Sequence, residues 1–145
     1  VLRTAPAIGD PPDVVLSKFG RPTATYGEPG QPIFEYASGP MGQTTWMARF
    51  GPDGRLASFE QVLCAAGFGR IKVDQATRED VLRLGGRPAE RSYLALRDMD
   101  VWSYRYKESD VWNSMMHVHF DRAGVVRQMM NGPDPMYEEK RFFRD

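Results

Sequence analysis

With 145 residues, 41% of them hydrophobic and 12% aromatic, the chain can bury the core of one domain or of two small halves sharing one, which excludes a disordered chain. Lys and Arg balance Asp and Glu at 19 each with no basic run, so no nucleic-acid footprint is visible, and no apolar stretch reaches the roughly 20 residues that span a bilayer. A single cysteine, Cys64, excludes an internal disulfide or a cysteine-based zinc site within one chain and is neutral on compartment.

In chain order, Val1 to Gly9 read as an irregular lead-in. The expected helix runs from Asp10 as cap to Gly20, with Pro11 at the first helical position, Asp13 in the first turn and Val15, Leu16 and Phe19 as its apolar stripe. Gly20 supplies a left-handed stop and Pro22 prevents resumption. Three strands come next at Ile33–Ala37, Thr44–Phe50 and Arg55–Leu63, joined by turns at Pro40-Met41-Gly42 and Pro52-Asp53-Gly54. Cys64 to Lys72 reads as a connector with a helical turn holding Phe68 and Ile71. A second helix starts on the capping-box pattern Thr77-Arg78-Glu79-Asp80, turns Val81, Leu82 and Leu84 inward, and stops at Gly86 and Pro88. Strands at Met99–Lys107, Asn113–Phe120 and Val125–Met130 complete the pattern, and Pro133 to Asp145 form a tail of mixed charge and aromatics.

The pattern repeats. Phe19-Gly20-Arg21-Pro22 is echoed by Gly85-Gly86-Arg87-Pro88, and Phe50-Gly51-Pro52-Asp53-Gly54 by Phe120-Asp121-Arg122-Ala123-Gly124. Gly20 and Gly86 are 66 positions apart, Phe50 and Phe120 are 70, so the second copy carries the longer loops. The expected fold is therefore α+β, two tandem repeats of a helix plus a three-stranded antiparallel sheet in two layers. The expected boundaries are residues 9–63 and 73–132 for the repeats, 64–72 for the connector and 133–145 for the tail.

A helix ending in Gly-x-Pro, an aromatic strand and a Phe-Asp-x-x-Gly hairpin, in that order, resemble the BamE/SmpA family of small outer-membrane lipoproteins, here in tandem. The residues concerned are Gly20/Pro22 and Gly86/Pro88, Phe34/Tyr36 and Trp102/Tyr104, and Phe50/Asp53/Gly54 and Phe120/Asp121/Gly124. Tandem units of this kind also resemble the β-lactamase-inhibitor-protein fold, which offers a concave surface to its target. The resemblance implies a non-enzymatic envelope protein in the periplasm, tethered to the outer membrane by a lipid anchor outside this chain. It would bind another envelope protein and support outer-membrane protein assembly or envelope integrity. With Val1 at the start, a processed or trimmed N-terminus is expected, so a missing export signal does not count against export. The BamE-type unit occurs singly, so partner-contacting residues do not carry over to a tandem chain.

The residues themselves suggest little catalysis and no cofactor. No serine elbow, phosphate loop or activated nucleophile can be picked out. Glu35 and Glu60 read as single outward charges on alternating strands. His117, His119 and Asp121 share one strand face by alternation and form a ligand set for zinc or iron, the basis of an alternative reading as a small metal-binding module. Against it, the matching first-copy positions are Met47, Arg49 and Gly51, and the three also fit a solvated strand face. A further alternative is an inhibitor-like protein that blocks an enzyme with its concave sheet. Trp102, Tyr104, Tyr106 and Trp112 are the protein-binding candidates, to be weighed against a place in the core. Function is expected where the copies disagree: His117/His119, the loops around Leu94–Asp98 and Glu108–Trp112, and the tail.

Overall fold

The computed structural model describes residues 4–39 and 41–137. Helix α1 (Pro12–Phe19) is followed by strands β1 (Ala24–Glu28), β2 (Gln31–Ala37), β3 (Thr45–Phe50) and β4 (Leu56–Gln61), which form one antiparallel sheet in that order. A four-residue helix α2 (Ala65–Phe68) and α3 (Arg78–Gly85) lead into a second antiparallel sheet of β5 (Glu90–Leu94), β6 (Met99–Glu108), β7 (Trp112–Phe120) and β8 (Val126–Pro133).

This corrects the expected fold class. Two four-stranded sheets dominate the molecule, and the three-stranded layout is not what forms. The strands missing from the expectation are β1 and β5, which lie at sheet edges. An edge strand hydrogen-bonds one neighbour and can leave its side chains in water. Every residue of β5 is exposed and β1 carries Gly27, so neither shows the apolar alternation by which a strand is recognised. The tail expected over 133–145 begins inside β8 at Pro133 and forms a helical turn at Pro135–Tyr137; the rest of that expectation lies outside the described residues.

The echoed landmarks do matched structural work. Gly20 and Gly86 end their helices at φ of 95° and 79°, a conformation open to glycine without strain. Each presents its carbonyl to a tyrosine from the sheet: Tyr36 Oη donates to Gly20 O and Tyr104 Oη to Gly86 O, both at 2.8 Å. The strand register shifts by a bulge at Arg49/Phe50 in one sheet and at His119/Phe120 in the other. The helix starts differ. Thr77 and Asp80 form a reciprocal capping box, as expected. Asp10 does not cap α1; its carboxylate accepts from Ala7 N and from Lys18 Nζ at 2.8 Å, tying the lead-in to the last turn of the helix.

Packing follows from strand alternation. Phe34, Tyr36, Ala48 and Phe50 point to one side of the first sheet, where Val15 and Phe19 of α1 cover them. Its other side carries Tyr26, Ile33 and Met47, which join the larger core with Val81, Leu82 and Leu84 of α3, Phe68 and Ile71 of the connector, and Trp102, Tyr104, Tyr106, Val118 and Phe120 of the second sheet. The layers run α1, first sheet, α3 with α2, second sheet. The two halves thus share one core through α3. The outer side of the second sheet is left with Ser103, Arg105, His117 and His119.

Candidate functional site

Cross-strand pairing places Ser103 opposite His117, Val101 opposite His119 and Arg105 opposite Met115 on the outer face of the second sheet. His117 Nδ1 and Ser103 Oγ are 2.7 Å apart. Arg105, 7% exposed, forms ion pairs of 3.0 Å with Glu90 and with the fully buried Asp134. Asp134 immediately follows β8, so this pairing brings the start of the tail back across the sheet face. Sequence reasoning missed Arg105 and Asp134. A lone Arg on a strand and a lone Asp after a proline give no signal until the register brings them together.

The expected ligand set does not assemble. His119 is buried with its Nδ1 lacking a hydrogen-bond partner among the described residues, while His117 is held by Ser103. Asp121 lies beyond the bulge, where its carboxylate accepts from Val125 N and pairs with Arg127 Nε at 2.7 Å. Those contacts hold the Asp121 carboxyl below the usual carboxylate range. Alternation holds along β7, but the strand ends at Phe120 and the turn that follows takes the Asp121 carboxylate away from the two histidines. Among the described residues, no group of three His, Cys, Asp or Glu side chains could hold a metal ion.

The Ser103–His117 pair invites comparison with a hydrolytic dyad, and its surroundings argue against one. Ser103 sits in the middle of a flat strand, buried, and not on a sharp turn that would present its oxygen. Glu90, a carboxylate on this face, is engaged by Arg105. Burial, with a smaller contribution from His119, holds the His117 imidazole below its ordinary value. The folded state therefore binds fewer protons here than the unfolded state. We expect stability to be fully present above the unfolded value near 6.5 and to decline as pH falls through it. Urea unfolding of wild type and His117→Gln between about pH 7.5 and 5.5, spanning the ordinary histidine range, checks this: the variant should lose part of the pH slope. An unchanged slope would remove His117 as its source.

Of the four aromatic candidates, three are core. Trp102, Tyr104 and Tyr106 all face α3 and the connector; Trp102 meets Phe120 edge-on at 4.6 Å and Tyr106 meets Phe68 at 4.9 Å. A partner cannot reach them while this core is intact, so no patch forms around them. Trp112 is different. It stands at the β6–β7 hairpin, 62% exposed, beside Val111 at 60%. The turn beneath them places both Ser109 and Asp110 at positive φ. Gln43 Nε2 donates to Asn113 Oδ1 at 2.9 Å, bringing the β2–β3 loop and its exposed Met41 beside this tip. At the other end of the sheet, Tyr93, Leu94 and Leu96 are exposed around the β5–β6 turn.

Between the halves, a cavity of about 370 Å³ is lined by Thr23, Glu35, Thr45, Arg87, Tyr104 and Arg105 among others. Glu35 was expected to point outward, and instead it is 1% exposed. Its Oε1 accepts from Tyr26 Oη at 2.6 Å and Arg87 N at 3.1 Å, and its Oε2 accepts from Thr23 Oγ1 at 3.1 Å. Burial, reinforced by the bond to Glu35, pushes the Tyr26 hydroxyl well above its ordinary value, so it stays protonated and donates. Every contact of this carboxylate is satisfied by the protein itself, which makes it a tie between the halves.

Among the described residues no helix is long and apolar enough to cross a membrane. No family model matches the chain, and no curated protein matches it. Among solved structures the chain is similar to a DUF4309 family protein, YjgB, from Bacillus subtilis, with 15% identity over 83% of this chain and 76% of that one. The TM-score is 0.32, too low to support an argument about fold or function.

Proposed function

We propose that this chain is a non-enzymatic module that binds another protein of the bacterial envelope, docking it through the hairpin tips of its second half. One observation supports this above the rest: large exposed apolar side chains collect at the two loops that distinguish the second copy from the first. Val111 and Trp112 occupy one tip, and Tyr93, Leu94 and Leu96 surround the other, with Leu96 fully exposed. The corresponding first-copy turn between β1 and β2 is the short Pro29-Gly30, with no large apolar side chain to offer. Exposed aromatic and aliphatic residues on rigid hairpins are what protein interfaces use as anchors.

The envelope setting and a lipid anchor upstream rest on the family resemblance. They stand or fall on the full-length gene product: absence of both an export signal and a lipid-acceptor cysteine ahead of Val1 would end them. For the docking surface, crosslinking capture from native envelopes should be run with wild type and a Val111→Ser/Trp112→Asp variant. Because both residues are exposed, the variant should keep its Tm within about 2 °C, as expected of surface changes. Capture of a partner enriched by wild type should fall about tenfold or more, the scale of losing an anchor residue. Equal capture by both proteins would refute the surface.

A further inference from the structure

We propose that the cleft between the first sheet and α3 binds a phosphate-type oxyanion carried on a small apolar body, a phosphomonoester being the simplest case. The cleft is open to solvent and has a volume of about 480 Å³, within the range of small-molecule sites. Arg49 from β3, Arg70 and Lys72 from the connector, and Arg83 from α3 all line it, against a single lining carboxylate, Asp80. That carboxylate is already engaged, accepting from Thr77 N at 2.9 Å and Thr77 Oγ1 at 3.1 Å in the capping box.

The other nearby acids pair with two of the four cations. Glu60 gives both oxygens to Arg70 at 3.2 Å, and Glu79 pairs with Arg83 along the helix at 2.8 Å. Arg49 and Lys72 have no ion pair among the described residues. Arg49 has one structural task, donating Nη1 to the Arg83 carbonyl at 2.8 Å near the C-terminal end of α3. Its Nη2 and the Nε of Arg83 are buried without a hydrogen-bond partner among the described residues. Burial and the neighbouring Arg70 push the Arg49 guanidinium below its ordinary value, outweighing the opposing pull of Glu60.

An anion in the cleft would supply what these groups lack. Arginine and lysine at three elements converge there, and guanidinium geometry suits the oxygens of a phosphate. Ile33, Ala76 and Leu84 contribute apolar lining, which a bare inorganic anion would leave unused and an aryl or alkyl ester would cover. Strand alternation explains the placement: Arg49 lies on the same sheet face as Ile33 and Met47, the face turned towards α3.

The test is titration of the intact protein with inorganic phosphate and with phenyl phosphate at constant ionic strength, followed by amide NMR shifts. Shifts confined to the connector, β3 and α3 are expected, with phenyl phosphate binding about tenfold tighter than inorganic phosphate, the gain from burying roughly two methylene equivalents. Arg70→Gln/Lys72→Gln, both at exposed positions, should keep the spectrum of a folded protein and weaken both ligands about tenfold or more. Lys107→Gln, on the second sheet, should leave both affinities unchanged. Equal affinity in wild type and the double variant, or shifts spread over the whole surface, would overturn the proposal. So would phenyl phosphate binding no tighter than inorganic phosphate.

Discussion

Replacing Phe120 by Ala is expected to destabilise the protein by about 3–5 kcal/mol, the usual cost of emptying a fully buried aromatic site. Phe120 is 0% exposed at the end of β7, where strand alternation turns it, like Val118, into the shared core. Its ring meets Trp102 edge-on at 4.6 Å and lies under the Arg78 guanidinium at 5.5 Å, while Val81 and Val126 belong to the same cluster. Truncation leaves a cavity that the rigid sheet cannot close, and removes the surface against which α3 seats. Phe50, its counterpart in the first half, belongs to the smaller cluster beneath α1, so Phe50→Ala should cost less. Urea unfolding gives the comparison: the Phe120→Ala midpoint should fall furthest with the slope unchanged. A loss under about 2 kcal/mol, below the usual range for such truncations, would show that the shared core is looser than its burial implies.

Glu35→Ala is expected to cost about 3 kcal/mol, because it strips acceptors from several donors at once. The Tyr26 hydroxyl, the Arg87 backbone N–H and the Thr23 hydroxyl all depend on this carboxylate. The Arg87 side chain, at 3.7 Å and 56% exposed, can turn to water and adds little. Glu35→Gln keeps an acceptor oxygen in place and should recover part of the loss. Since Glu35 lies on β2 and Arg87 follows α3, the alanine variant should also loosen one half against the other. Amide exchange should show that as earlier opening of the first sheet, with the second still protected. A midpoint within error of wild type would mean that water replaces the carboxylate, and the tie between halves would have to lie elsewhere.

Both predictions concern residues whose types were plain in the sequence and whose environments were not. Phe120 is half of an echoed landmark, and its pairing with Phe50 marked it as scaffold. Glu35 read as one outward charge among alternating residues. Alternation does assign it to the face opposite Phe34 and Tyr36, but that face is a solvent face only in a two-layer fold. Because α3 and the second sheet cover it, a charged residue there must be paired, and its partners come from β1 and from beyond α3. Trp102, Tyr104 and Tyr106 are a parallel case. Their common face was legible; whether helix and connector cover all of it depended on a layer order that local patterning does not encode. Trp112 stayed outside because it follows a turn and extends past the covered part of the sheet.

What the sequence determined by itself was local: where helices stop, where hairpins turn, and that the unit occurs twice. Glycine at positive φ, a capping box and period-two alternation act over a few residues, so they can be read from a few residues. The tertiary structure decided the number of strands, since β1 and β5 exist through backbone pairing to one neighbour and need no side-chain pattern. It also decided that His117, His119 and Asp121 part company, because β7 ends at Phe120 and the turn beyond it ties the Asp121 carboxylate to Val125 N and Arg127. The gathering of Arg49, Arg70, Lys72 and Arg83 around one cleft belongs to it as well. Those four lie on three elements, and only the packing of α3 against the first sheet puts their charges within reach of one another.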